Sequence, residues 1–270
     1  MRKPVLAFWA AVTLAAGPAI AADLPVKALR SDPAPTRSST WTGCYVGGNA
    51  GAIIGNDRLT LYPSGSLLTS VPAADRAVNT NSHDPNGLGF TVGAQAGCNV
   101  QVMGNWVVGG EVDINWSGLR ENSFTQYDYI AFATQPLARW DAHNETVWKN
   151  LDWFSTVRGR LGYSWNGVLL YATGGLAIAR VTGRFSYLDT VLGFEFAGSE
   201  SHTKLGPTVG GGLEWKFADR WSLKAEYLYM NLGTFSFDAP PNVPNSTFRW
   251  GMEVKAREHI ARVGVNYRFY

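Results

Sequence analysis

The sequence predicts an all-β fold, specifically an eight-stranded antiparallel transmembrane β-barrel with short periplasmic turns and long extracellular loops. Three observations predict it. Apolar and polar residues alternate with period two along much of the chain, and the connections between alternating segments are by turns very short and long. The chain also opens on an export leader rather than on a helix long enough to span a bilayer.

The leader occupies residues 1–21. Arg2 and Lys3 supply a positive start, Val5 to Ala16 an apolar stretch of about a dozen residues, and Ala19-Ile20-Ala21 a small-x-small cleavage site. Gly17 and Pro18 break the apolar run well before the roughly 20 residues that a spanning helix needs. No later stretch approaches about 18 uninterrupted apolar residues, so membrane insertion is expected by strands. Residues 22–40, rich in Pro, Ser and charge, read as a flexible periplasmic lead-in, and the barrel domain is expected over 41–270. With 270 residues, 46% of them hydrophobic, the chain can form one sizeable domain. Its 23 basic and 21 acidic residues leave a net charge of only +2, without the basic patch that nucleic-acid binding requires. Its 30 glycines, 11 Trp and 11 Tyr suit strands flanked by aromatic girdles.

Residues 87–101 carry the longest alternation, with Leu88, Phe90, Val92, Ala94, Ala96, Cys98 and Val100 on one face. In 105–117, Trp106, Val108, Val112, Ile114 and Trp116 oppose Glu111, Asp113 and Asn115; in 221–231, Trp221, Leu223, Ala225, Tyr227 and Tyr229 oppose Lys224 and Glu226. Segments 41–53, 151–165, 167–180, 203–217 and 259–270 complete an even set of strands, as a single-chain bacterial barrel requires. Val102 to Gly104, Trp165 to Gly167 and Ala218 to Arg220 are tight turns, the second containing the hairpin dipeptide Asn166-Gly167. The remaining connections, near 54–86, 118–150, 181–202 and 232–258, are each expected to be loops of about 20–35 residues.

One face of these strands is too charged to line an apolar ligand pocket and is assigned to the lumen, with the apolar face toward lipid. The lumen set is Glu111, Asp113, Arg158, Arg160, Glu214, Lys216, Lys224, Glu226, Arg262 and Arg268. In so narrow a barrel these charges either fill the interior as an ion-pair network or line a narrow ion path. Trp106, Trp116, Trp153, Tyr163, Trp165, Trp215, Trp221 and Tyr267 cluster toward strand ends, where aromatic rings sit at membrane interfaces. Cys44 and Cys98 fall on the apolar face near the short-turn rim. They form either a cross-strand disulfide, favoured by an oxidising periplasm, or two unpaired lipid-facing thiols.

Along the last strand Ala261, Val263, Val265, Tyr267 and Phe269 share one face, resembling the terminal signal read by the outer-membrane assembly machinery, with Tyr270 added after the expected aromatic end. The segments Trp41-Thr42-Gly43-Cys44-Tyr45-Val46-Gly47-Gly48-Asn49, Gly93-Ala94-Gln95-Ala96-Gly97-Cys98-Asn99-Val100-Gln101 and Thr156-Val157-Arg158-Gly159-Arg160-Leu161-Gly162-Tyr163 resemble a known family. So do Tyr171-Ala172-Thr173-Gly174-Gly175-Leu176-Ala177, Ala225-Glu226-Tyr227-Leu228-Tyr229 and Val263-Gly264-Val265-Asn266-Tyr267-Arg268-Phe269. The likeness is to the outer-membrane immunogenic, porin-like proteins with an OmpA-like small barrel. It implies residence in the outer membrane of a Gram-negative bacterium.

Enzymatic chemistry has no motif behind it. His143-Asn144-Glu145 lacks zinc-protease spacing, two cysteines make no zinc cluster, and Gly210-Gly211-Gly212 lacks the Lys-Ser/Thr of a phosphate loop. The histidines His83, His143, His202 and His259 are expected to be solvated, in loops or at a strand start, and Trp140, Trp148 and Trp250 to be loop aromatics. No catalytic, metal or cofactor site is expected. The expected function is non-enzymatic, contributing to envelope structure and presenting surface loops to an extracellular partner, with outer-membrane lipid around the barrel. A porin-like channel for small solutes or ions is one alternative, and surface capture of a haem-type ligand, which the resemblance implies, is another.

Overall fold

The computed structural model describes residues 40–66, 80–127, 143–190, 193–243 and 246–269. The leader, the lead-in up to residue 39, Trp140 and Tyr270 lie outside the described residues. Among the described residues ten strands follow in order: β1 (Gly43–Asn56), β2 (Arg58–Gly65), β3 (Asn81–His83), β4 (Asn86–Val102), β5 (Trp106–Tyr127), β6 (His143–Trp165), β7 (Val168–Asp189), β8 (Glu195–Lys216), β9 (Trp221–Ala239) and β10 (Phe248–Arg268). The ring is β1-β4-β5-β6-β7-β8-β9-β10, closed by β1 on β10, with every pairing antiparallel. β2 resumes the line of β1 along β10 after Asp57, and β3 pairs with β2, so ten strands build eight walls.

The turn Met103-Gly104 and the hairpin turn Asn166-Gly167 carry positive φ at all four residues, the geometry that lets a tight turn follow strand twist. With both ends of the barrel domain these turns mark the periplasmic rim.

Each strand continues beyond the range its alternation suggested, consuming much of the expected loops. β6 begins at His143 rather than near 151, and β10 at Phe248 rather than near 259. A strand such as β7, with 22 residues, runs about 70 Å and rises roughly 55 Å when tilted, about twice the apolar band of an outer-membrane barrel. The barrel wall therefore stands well clear of the membrane.

Two zones follow. Outward side chains are apolar or small over residues 46–54, 88–100, 106–116, 157–165, 170–178, 205–215, 221–229 and 261–269, which define the membrane-spanning segments. The aromatic girdle lies at both edges: Trp106, Tyr163, Trp165, Trp215, Trp221 and Tyr267 at the periplasmic rim, and the cross-strand partners Trp116 and Trp153 at the outer edge. Above that edge the outward positions turn polar, with Arg58, Asp84, Arg120, Asn122, Asp152 and Arg180 exposed. There the inward positions form an apolar core that includes Leu59, Leu61, Val147, Phe185, Phe237, Met252 and Val254. The zones meet at a level of irregular pairing: register shifts at Trp116/Leu119, Leu151/Trp153 and Ala256/Arg257, and the break between β1 and β2.

Candidate functional site: the filled lumen

Within the membrane-spanning zone the interior is polar. Glu111 and Asp113 come from β5, Arg158 and Arg160 from β6, Glu214 from β8, Lys224 and Glu226 from β9, and Arg262 from β10, all nearly inaccessible to solvent. Register makes Glu111 and Arg158, Glu214 and Lys224, and Glu226 and Arg262 cross-strand partners.

The geometry is a shared network. Arg158 donates to Glu111 (2.5 Å), Asp113 (2.8 Å) and Glu226 (2.9 Å). Arg262 donates to Asp113 (2.8 Å) and Glu226 (2.8 Å). Lys224 lies 2.8 and 3.0 Å from the two Glu111 oxygens, and Arg160 donates to Glu214 (2.9 Å). Two tyrosines join: the Tyr45 hydroxyl donates to Glu111 (2.6 Å) and Tyr171 to Glu226 (2.9 Å), while the Arg160 guanidinium covers the Tyr171 ring at 3.8 Å. Four carboxylates thus face four cations, and the charges desolvated by burial are neutralised in place. Glycines make room for these long side chains. A Cβ on Gly47 would sit 2.2 Å from Asn266 Oδ1, and one on Gly51 2.7 Å from the Arg262 Cβ.

Two members of the expected lumen set lie elsewhere. Lys216 and Arg268 sit at the periplasmic end around Trp41, which is fully buried rather than part of the first strand. Their cations stand 4.4 and 4.9 Å from its ring and both donate to the Thr40 carbonyl, Arg268 at 3.1 Å. They lie nearest the rim on their strands, beyond the layer where the other charges meet. Cys44 and Cys98 are cross-strand partners joined by a disulfide on the outer face. Ala261, Val263, Val265, Tyr267 and Phe269 form an outward line on and just past β10, Tyr267 packing edge-on against Trp221 and Phe269.

Sequence reasoning missed two buried clusters because it assigned their residues to loops. At the joint between the zones, Lys149 donates to Asp57, Glu258 and, at 3.1 Å, Glu121. Burial, then the Glu258 charge, raises the Glu121 carboxyl from its ordinary 4.5 to about 8. Burial lowers Lys149, against the pull of Glu258. Higher up, Glu145 accepts from Asn81 (2.8 Å) and pairs with His83 (2.8 Å), and His143 stacks between Tyr127 and Tyr187. Burial pushes Glu145 up, but hydrogen bonds from His143, His83 and Asn81 outweigh it and hold the carboxyl below its usual range.

These contacts correct the expectation of solvated loop histidines: all four lie in strands, and His83 and His143 are buried because the cap is itself a packed barrel. Trp148 and Trp250 likewise belong to β6 and β10. The available signal was the alternation of Glu145, Val147, Lys149 and Leu151 with Asn144, Thr146, Trp148 and Asn150. Among the described residues no cluster of three or more His, Cys, Asp or Glu side chains is arranged to hold a metal ion.

A closed ring of strands with a lipid-facing apolar belt, aromatic edges and a charged interior defines an outer-membrane β-barrel protein. The family model described as "Outer membrane protein beta-barrel domain" matches residues 8–269, and the chain belongs to that family. It is similar to the 31 kDa outer-membrane immunogenic proteins of Brucella melitensis biotype 1 and Brucella suis biovar 1, being 33% identical to each over the full length of both chains. Among solved structures it resembles the outer membrane protease OmpT from Escherichia coli, with a TM-score of 0.51 and 8% identity over 84% of this chain and 97% of that one. That likeness is one of fold. The protein resides in the outer membrane of a Gram-negative bacterium.

Proposed function

We propose that this protein is a non-conducting, non-enzymatic barrel that braces the envelope and holds a raised β-barrel cap at the cell surface. The observation that carries this reading is the interior itself, where the Arg158 network fills the membrane zone and an apolar core fills the cap. A channel for ions or small solutes needs a continuous wetted path, and the side chains that would line it are bonded to one another. A haem-type ligand would need free loop histidines, whereas His83 is engaged by Glu145 inside the cap.

The test is single-channel recording on the refolded full chain in planar bilayers, after heat-modifiable gel mobility has shown that the barrel is folded. The expected result is silence at salt concentrations where porins conduct. Reproducible steps whose size or ion preference changes in Arg158→Gln or Glu226→Gln would replace this reading with a porin.

A further inference from the structure

We infer that the outer face of β2 and β10, just above the lipid-facing belt, is a binding site for the phosphate of an outer-leaflet lipid headgroup. Arg58 and Lys255 are direct cross-strand partners, and Arg257 lies two residues further along β10. Like charges directly opposite one another on a sheet are destabilising, so this arrangement calls for an anion.

The local backbone is shaped for the purpose. The break at Asp57 separates β1 from β2, and at the same level β9 carries an extra residue, Leu232, opposite the consecutive β10 residues Ala256 and Arg257. Asp57 ties the two features together from behind, since one oxygen accepts the Arg257 backbone N–H (2.6 Å) and the other accepts from buried Lys149. The result is a cavity of about 180 Å³ lined by Asn56, Asp57, Arg58, Asp84, Lys255 and Arg257. Its anionic neighbours only partly compensate the cations. Asp84 accepts from Arg58 Nε at 3.0 Å, which leaves the two terminal guanidinium nitrogens without a partner among the described residues, and Glu253 stands 3.3 Å from Lys255. The exposed Arg257 side chain has no ion-pair or hydrogen-bond partner among the described residues.

Position selects the source of the phosphate. Immediately below, Ile54 and Leu88 are 48% and 73% exposed and belong to the apolar belt, so a lipid whose chains lie against them carries its headgroup to the level of the cavity. Guanidinium and ammonium groups at such a boundary suit phosphate through charge-assisted hydrogen bonds.

The experiment is native mass spectrometry of the full-length protein released from micelles containing a diphosphorylated glycolipid of the lipid A type. Parallel samples hold the same glycolipid stripped of phosphate, or the phosphorylated lipid with millimolar inorganic phosphate. The expected result is a retained adduct with the phosphorylated lipid alone, undiminished by inorganic phosphate. It falls about tenfold or more in Arg58→Gln/Lys255→Gln/Arg257→Gln and is unchanged in Arg180→Gln/Arg184→Gln on the opposite wall. All variants carry surface changes and are checked for folding by heat-modifiable mobility. Equal retention by the triple variant, equal retention of the dephosphorylated lipid, displacement by inorganic phosphate, or equal loss in the opposite-wall variant would each overturn the inference.

Discussion

The membrane zone and the cap use the same strands in opposite senses. In β6, Arg158 and Arg160 point inward and Val157 and Leu161 outward, whereas a few residues earlier Val147 and Leu151 point inward and Asn144 and Asn150 outward. The backbone alternation is common to both; what changes is the solvent outside. Lipid draws apolar side chains outward and leaves the charges to satisfy one another, while water above the membrane restores the ordinary arrangement of an apolar core. Period two therefore identifies a strand, and the environment decides which face is apolar.

The comparison makes the two zones fail differently. The largest effect is expected from Arg158→Met, which strips Glu111, Asp113 and Glu226 of their shared cation and should cost about 3–5 kcal/mol in urea unfolding of the refolded barrel. In the cap, Met252→Ala leaves a void in an apolar core and should cost about 3 kcal/mol, with limited proteolysis opening the cap before the membrane zone. Breaking the disulfide with Cys44→Ser and Cys98→Ser releases a link spanning 54 residues and should cost about 2–3 kcal/mol by the same assay.

The joint between the zones should respond to pH. Glu121 is raised from 4.5 to about 8, so between those values the folded protein holds a proton that the unfolded chain has lost. This contribution is present in full below about pH 4.5 and fades as pH rises toward 8, by at most about 1.4 kcal/mol per pH unit. Glu121→Gln should flatten the dependence measured by unfolding at stepped pH; an unchanged slope would reject the assignment. The smallest effect, under about 1 kcal/mol, is expected for Arg180→Gln, whose 3.9 Å pair with Asp152 is exposed on both sides.

The membrane zone was the more legible in sequence because lipid demands an unbroken apolar face. Leu88 to Val100 and Trp106 to Trp116 announce themselves, and their opposite faces supplied Glu111 and Asp113 of the network. Arg158, Arg160, Glu214, Lys224, Glu226 and Arg262 were found in the same way. The cap was illegible because its inward face mixes Glu145 and Lys149 with Val147 and Leu151, and its outward face carries Trp148, so hydropathy no longer separates the faces. Extra residues broke the phase in β6, between Leu151 and Trp153, and in β9, between Asn231 and Gly233, where the pattern would have continued. Lys149 and its three carboxylates come from β5, β6, β10 and the β1–β2 break, and no local pattern relates them.

Trp41 gives the barrel a record of its own completion. Its seat is formed by Lys216 of β8 and Arg268 of β10, strands that enter the chain more than half its length later. Until the final strand docks beside the first, the indole lacks Arg268, one of its two cations. Its burial coincides with closure of the ring, so the fluorescence of this one side chain, with the other tryptophans replaced, clocks the last step of assembly.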